Sequence, residues 1–196
     1  MREYLKENLV EICALLISLI SLMTSFFFNR KRLNVVIEDD LDNINDIYFD
    51  FLQFTNKQVP LNFGDGKVCY IKVVNPSPSD ISFFDLRVID LKTNKPLFFL
   101  TDAVLELTKT SGQKLFYTPD GALSKLNIPS STYGTFPSNS FTRFEIAFYP
   151  TPETTEILIS FKVAISSLIP NKEAGHRKNF KYYKKIFTID ESKLKV

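Results

Sequence analysis

A stripe of small and polar residues runs through the apolar N-terminal segment. Its members are spaced three, four, three and four residues apart, which places them on one face of a helix. Helices in lipid associate through small side chains and polar contacts, so the stripe predicts self-association, and a larger ring could enclose a narrow polar path. The alternative is that serines are tolerated in any spanning helix and the acid lies at the interface. The stripe comprises Glu11, Ala14, Ser18, Ser21 and Ser25.

A second group combines aromatic rings with lysines near the C-terminal end. Such a run can contact the head groups of anionic lipids or a partner molecule, and it can also stack bases and bind phosphates. The alternative is an edge strand whose lysines prevent aggregation. The candidate contact residues are Lys178, Lys181, Tyr182, Tyr183, Lys184 and Lys185.

The remaining chemical groups do not match a catalytic pattern. His176 is the single histidine and has no evident partner for a triad or for zinc. Residues 38–50 carry six carboxylates but lack the glycine and late glutamate of an EF-hand, so calcium is a secondary hypothesis. The main interpretation is that this acidic run and the basic run of residues 172–185 are solvated faces or loops that can pair with each other. We therefore expect no catalytic residue, no cofactor and no metal site, and we predict that the chain is not an enzyme.

The element that must position the stripe is the apolar segment itself, because residues 12–28 carry no charge. Counted from Leu9, the run has about 20 residues, enough for a helix to cross a hydrocarbon core of ~30 Å. A signal peptide has small residues before its cleavage site, whereas this run ends in three phenylalanines, which is typical of an interfacial aromatic belt. We expect a retained transmembrane anchor.

A basic cluster sets the expected orientation of this anchor. Arg30, Lys31 and Arg32 directly follow the span, whereas Arg2 and Lys6 precede it. Lysines and arginines close to a span favour the cytoplasmic side, and acidic residues count little. We therefore predict a single-pass protein of the cell membrane with its C-terminal domain in the cytoplasm.

Composition predicts an anchor of residues 1–32 followed by one domain of residues 33–196. The chain has 24 Lys+Arg and 22 Asp+Glu, and residues 1–32 hold five bases and three acids, so the domain carries 19 of each. A neutral domain has no general attraction to nucleic acid, which is not an expected partner. Of the two cysteines, only Cys69 lies in the domain, so no disulfide forms within it.

The domain reads as strands separated by turns. Roughly eight short apolar or alternating segments predict an all-β fold, an antiparallel immunoglobulin-like β-sandwich. Residues 64–66 are interpreted as a turn, and residues 108–137, rich in glycine and proline, as loops with short edge strands, suited to a binding surface. Phe144, Ile146 and Phe148 alternate along one strand and are predicted to face the core.

Two functional hypotheses follow. In the first, a helix that self-associates anchors a β-sandwich, whose loops or sheet edge recognise a protein or small ligand. Membrane lipid and further copies of the chain are then the expected partners. In the second, the chain is an oligomeric membrane effector of the bacterial defence or phage-exclusion type. The sandwich then senses a signal and the helices perturb the membrane.

Overall fold

The computed structural model describes residues 8–28, 30–52, 59–107, 110–118, 121–165 and 180–189. Helix α1 (Leu9–Phe28) begins and ends where the apolar run predicts. None of its apolar window, Leu9–Phe26, is buried against the rest of the chain. The helix is thus long and apolar enough to cross a membrane, and it contributes nothing to the core of the domain.

The described part of the domain is mostly β-strand and entirely antiparallel, as the sequence predicts, with one short helix, α2 (Asp102–Leu107). Sheet A has the strand order β5-β9-β2-β1-β6-β7, and sheet B has the order β11-β10-β3-β4, with β8 also pairing with β3. The strands are β1 (Asn34–Leu52), β2 (Val59–Asn75), β3 (Ile81–Asp90), β4 (Lys95–Pro96), β5 (Phe98–Phe99), β6 (Thr110–Tyr117), β7 (Leu123–Lys125), β8 (Gly134–Phe136), β9 (Ser140–Tyr149), β10 (Glu156–Val163) and β11 (Lys181–Thr188).

The main apolar cluster is shared by the two sheets. Alternate residues of β2 and β9 contribute from sheet A, and alternate residues of β3, β10 and β11 contribute from sheet B. Ile146 and Phe148 are fully buried there and Phe144 is partly buried, which confirms the predicted inward face of β9. Phe83 stacks on Phe136 with ring centroids 4.8 Å apart, so β8 also closes onto this core.

A second cluster covers the opposite face of sheet A, because β2 and β9 are apolar at both alternations there. Val68 and Ala147 pack with side chains from α2, from β6 and from residues 126–128. The described part of residues 108–137 contains short strands, as predicted, with β7 at the edge of sheet A and β8 beside β3. Phe116 and Leu126 are buried in this cluster, so the segment also supplies core residues.

One carboxylate fastens the covering segment to sheet A. The N–H of Asn127 donates to Oε2 of Glu145 (2.6 Å), and the N–H of Glu145 donates to the carbonyl of Asn127 (2.8 Å). Burial raises the pKa of Glu145, although the hydrogen bond from Asn127 and the charge of Arg143 act in the opposite direction. This reciprocal pair fixes the path of residues 126–128 across the sheet.

Two local interpretations of the sequence are corrected by the long strands β1 and β2. The acidic run lies inside the 19-residue strand β1 and is not a separate loop, and residues 64–66 lie inside β2 and are not a turn. The pairing of β1 with β2 shifts register between Ile37 and Leu41 and again between Ile44 and Asp46. These irregularities absorb the polar residues and the positive φ of Gly64 (93°) without ending either strand.

Candidate interaction surface

Strand β11 divides the predicted aromatic and basic site between two faces. Because side chains alternate along a strand, Tyr182 and Lys184 lie on one face, and Lys181, Tyr183 and Lys185 lie on the other. Lys178 lies outside the described residues. The single site expected from the sequence is therefore two groups with different surroundings.

The group that faces sheet A holds the two sheets together at their edges. Lys185 donates from Nζ to the carbonyl of Ile37 (2.7 Å) and also pairs with Asp39. Tyr183 stacks on Phe161, with centroids 5.5 Å apart, and its hydroxyl donates to the carbonyl of Leu33 (3.4 Å). These side chains join β11 to the start of β1, and Lys185 covers a backbone acceptor that would otherwise invite edge pairing.

The other group belongs to a surface built across three strands, the outer face of sheet B. Antiparallel pairing places one aromatic and basic row, one basic row and one aliphatic row side by side. We call this surface the basic face. It comprises Phe84, Lys162 and Tyr182 in the first row, Arg87, Ser160 and Lys184 in the second, and Ile89, Leu158 and Ile186 in the third.

A single carboxylate positions two of the cations of the basic face. Asp85 has a positive φ of 61° at an irregularity in the pairing of β3 with β10. Its Oδ2 accepts from Nζ of Lys162 (2.7 Å) and its Oδ1 pairs with Arg87. Burial alone would raise the pKa of Asp85, but the hydrogen bond and charge of Lys162, with Arg87, outweigh it and lower the pKa.

The basic face therefore combines positive charge with accessible apolar surface. Arg87, Lys162 and Lys184 supply three cations against the carboxylate of Asp85, and Glu156 adds a second carboxylate in the row beyond Leu158 on the same face. Ile186 is 57% exposed, in the row next to Lys184. Nζ of Lys184 lies 5.9 Å from the centroid of the Tyr182 ring, so its methylene chain and the ring extend the apolar area.

The aromatic end of the basic face is also open. Phe84 is 37% exposed and meets Phe180 edge to face, with centroids 5.9 Å apart. Nζ of Lys162 lies 5.4 Å from the centroid of Phe180. This packing limits the freedom of Phe84 and Lys162, which lowers the entropy that a partner must remove on binding.

The sequence missed Phe84, Arg87 and Lys162 as members of this site. Arg87 and Lys162 each lie between inward-facing apolar residues, a detectable sign of an outward position, whereas Phe84 is followed by Asp85 and gives no such sign. What assembles them is the register of three strands that are far apart in the chain. An irregular pairing near Asp85 also shifts that register, so alternation alone does not predict it.

The predicted helix stripe lies along α1, and all five of its side chains are exposed in the single chain. The hydroxyl of Thr24 donates to the carbonyl of Ser21 (2.9 Å). Arg30, Lys31 and Arg32 follow the helix and are exposed. The stripe thus runs along the apolar helix, and the basic cluster follows the C-terminal end of that helix.

Two other features bear on chemistry. Burial raises the pKa of the Cys69 thiol to about 12, which leaves it a poor nucleophile.

A cleft of about 330 Å³ lies between Asp39–Leu41 of β1 and the end of β11. Its lining lysines are engaged with neighbours, Lys67 with Asn43 (2.5 Å) and Lys185 with Asp39. Among the described residues, no group of three or more histidine, cysteine, aspartate or glutamate side chains is placed to hold a metal ion.

Comparison with known proteins gives a distant structural likeness. No family model matches the chain. No curated protein matches it either. The crystal structure of the yjhA protein from Bacillus subtilis is similar, with a TM-score of 0.37 and 9% sequence identity over 80% of this chain and 92% of that one.

Proposed function

We propose that the chain is a single-pass membrane-anchored interaction protein and not an enzyme. In this proposal α1 spans the cell membrane and sheets A and B form an immunoglobulin-like β-sandwich on the cytoplasmic side. The basic face then binds an acidic, partly apolar surface of a partner protein. The observation that carries the proposal is the assembly of the basic face from three strands, with Arg87, Lys184 and Ile186 exposed.

Several features support recognition by the basic face. A rigid sheet presents its side chains in fixed geometry, and aromatic rings and arginine are enriched where interfaces bind tightly. An excess of positive charge speeds encounter with an acidic partner, and the neighbouring apolar area supplies the affinity. Sheet A has much of its outer surface covered by the second apolar cluster, whereas Arg87, Lys184 and Ile186 of the basic face are exposed.

Two further features support the fold and the assembly. One apolar cluster receives side chains from both sheets, as the core of a sandwich does. The small and polar stripe on α1 supports self-association of the helix in lipid. Copies held together by their helices would present several basic faces at once, which strengthens binding to a multivalent partner.

Site-specific photocrosslinking in cells tests the proposed interface. A photoreactive residue replaces Ile186 in the full chain, and Leu123, 53% exposed on β7, is the control position. We expect a discrete adduct at position 186 that weakens several-fold when Lys184→Glu is added, because the reversed charge repels an acidic partner. Lys92→Glu, in an exposed turn, serves as the charge control and should leave the adduct unchanged. Equal adducts at positions 186 and 123, or an adduct that ignores Lys184→Glu, would contradict the proposal.

A further inference from the structure

A small apolar patch lies on the outer face of sheet A at the end next to the anchor. Val74 of β2 pairs with Asn34 of β1 on one side and with Phe141 of β9 on the other. These three residues form the last row on the outer face of the sheet at this end. Val36 stands on the same face in the next row. Phe141 is 61% exposed, Val36 51% and Val74 41%. We call Val36, Val74 and Phe141 the anchor-proximal patch.

The chain that leaves the helix is fastened directly to this end of the domain. Ser77 is 2% exposed, and its hydroxyl donates to the carbonyl of Arg32 (2.9 Å) and accepts from the N–H of Arg32 (2.6 Å). The N–H of Asn139 donates to the carbonyl of Ser77 (3.1 Å). Phe141 follows Asn139 by two residues, so the patch lies beside the attachment point.

A buried asparagine makes this attachment rigid. Asn75, 1% exposed, donates from Nδ2 to the carbonyls of Phe136 (3.0 Å) and Pro137 (2.9 Å), and its Oδ1 accepts from the N–H of Ser77 (3.0 Å). One side chain thereby ties the loop that holds the linker to the loop that leads into β9. The patch and the linker are therefore parts of one fixed structure.

The short linker limits how far this structure can be from the bilayer. Helix α1 ends at Phe28, and a chain of four residues to Arg32 spans at most ~14 Å. The head-group layer of one leaflet is about 5–8 Å thick. If Arg30, Lys31 and Arg32 lie among the head groups, as basic residues at the end of a span do, the fastened loop of Ser77 lies at or just beyond that layer.

The charges around the patch are compatible with a lipid surface. Lys72, in the row of Val36, pairs with Glu38 (2.6 Å), and Arg143 pairs with Glu145 (3.3 Å). Asp80, at the same end, accepts from the N–H of Ser138 (2.8 Å). Glu38 and Glu145 are thus neutralised by ion pairs, and the single charge of Asp80 is outweighed by the three cations of the linker, which attract anionic head groups.

The geometry points to the anchor-proximal patch as a bilayer-docking surface, at which Phe141 and the two valines enter the interface of the leaflet next to the linker. This inference rests on the proposed insertion of α1. The outer faces of sheets A and B lie on opposite sides of their shared core. Docking through sheet A therefore turns the basic face away from the bilayer and toward a partner. A phenylalanine and two valines suit an interface where apolar side chains lie just below the head groups.

Quenching by brominated lipid tests this placement in the full chain. The full-length protein carries a polarity-sensitive fluorophore at Phe141→Cys in a Cys13→Ser background, reconstituted in phosphatidylcholine–phosphatidylserine vesicles. Cys69 is fully buried and does not compete for label. Leu123→Cys in the same background is the control. We expect lipids brominated near the top of the acyl chain to quench position 141 at least ~2-fold more than position 123.

A label on native Cys13, within α1, separates the two levels of the proposal. Quenching at Cys13 without quenching at position 141 would overturn docking and leave the anchor in place. No quenching at either position would overturn the anchor and the docking together. Blue-shifted emission at position 141 without lipid quenching would mean that protein, such as a second copy, covers the patch, and it would also overturn docking. A label at Val36→Cys repeats the test if Phe141→Cys perturbs the fold.

Discussion

Asp85 decides the layout of the basic face at the scale of single residues. Its positive φ lies in the left-handed region, which aspartate and asparagine tolerate better than most side chains. The resulting irregularity in β3 brings Arg87 and Lys162 to the two oxygens of one carboxylate. The residue thus sets both the backbone register and the spacing of two cations.

Asp85→Asn isolates the charge of this residue, since asparagine retains the tolerance for positive φ. We expect the substitution to lower the free energy of unfolding by about 0.5–1.5 kcal/mol at pH 7, because the charge shared by two partly solvent-exposed ion pairs is lost. The folded-state pKa of Asp85 is lowered. Its contribution is therefore fully present above the unfolded pKa of about 3.8 and is lost as the pH falls through the folded value.

Urea unfolding of the detergent-solubilised wild type and variant, followed by tyrosine fluorescence from pH 7 to pH 2, measures this difference. Other titrating groups, such as Glu145 and Asp90, are present in both proteins and cancel in the comparison. The gap in stability should close toward acid. Equal stability at pH 7, or a gap that widens in acid, would show that the two ion pairs do not stabilise the fold.

The sequence predicts which side chains are buried better than it predicts which distant residues they contact. Ile146 and Phe148 follow from alternation along one strand, and the structure confirms that both are buried. The pairing of the acidic and basic runs that the sequence suggests is found between Lys185 and Asp39. The hydrogen bonds of Tyr183 and Lys185 to backbone carbonyls of Leu33 and Ile37 gave no sequence sign, because they join residues about 150 positions apart. Side-chain chemistry is local in the sequence, whereas the choice of partner depends on the register between strands.

At the scale of elements, the strands are longer than their apolar segments. The acidic run has few apolar side chains to bury, yet strand β1 continues through it because β2 supplies hydrogen bonds on one side. Glycines at 64 and 66 resemble a turn, but within a paired strand they accommodate an irregularity, and Gly66 leaves no room for a side chain beside Tyr149 and Ile44. Tertiary pairing overrides local propensity in both cases.

Helix α1 gives the prediction that belongs to this scale. If the stripe packs against copies of itself, Ser18→Leu with Ser21→Leu should block close approach of the backbones while the span stays apolar. We expect the double variant to lose its oligomers, as measured by the light-scattering mass of the detergent-solubilised protein. Each interhelical polar contact contributes only about 0.6–2 kcal/mol, so the pair is the proper test.

The matched control for the helix is Leu15→Ile with Leu19→Ile, which alters side chains outside the stripe and should retain the oligomers. If the wild type and both variants have the same mass, the helix serves as a plain anchor. Any membrane phenotype on expression should be lost in the serine variant and kept in the leucine control, because an effector role would depend on the same helix contacts.

At the scale of the whole molecule, the order of parts was predictable, and their contacts were not. Hydropathy and the basic cluster predict the helix and its boundary, and the described structure agrees on both ends of the helix. The hydrogen bonds between Ser77 and Arg32 were not predictable, because a serine in a proline-containing loop gives no sign of a distant partner. Those bonds hold Arg32, the last residue of the linker, against the domain.

Orientation is tested by thiol labelling in intact cells. Gly121 has a positive φ (77°), so a cysteine is better placed at the exposed neighbour, Ala122→Cys. The basic cluster predicts that this thiol resists a membrane-impermeant maleimide until the cells are permeabilised. The variant carries Cys13→Ser, and Cys69 is buried and does not take the label. Ready labelling before permeabilisation would place the domain outside.

Membrane attachment is the claim on which the rest depends, and alkaline carbonate extraction measures it most directly. The full chain should remain in the membrane pellet, because a spanning helix of about 20 apolar residues is not released by high pH or by loss of charge interactions. A chain that lacks residues 1–32 should be found in the supernatant. Release of the full chain into the supernatant would contradict the account.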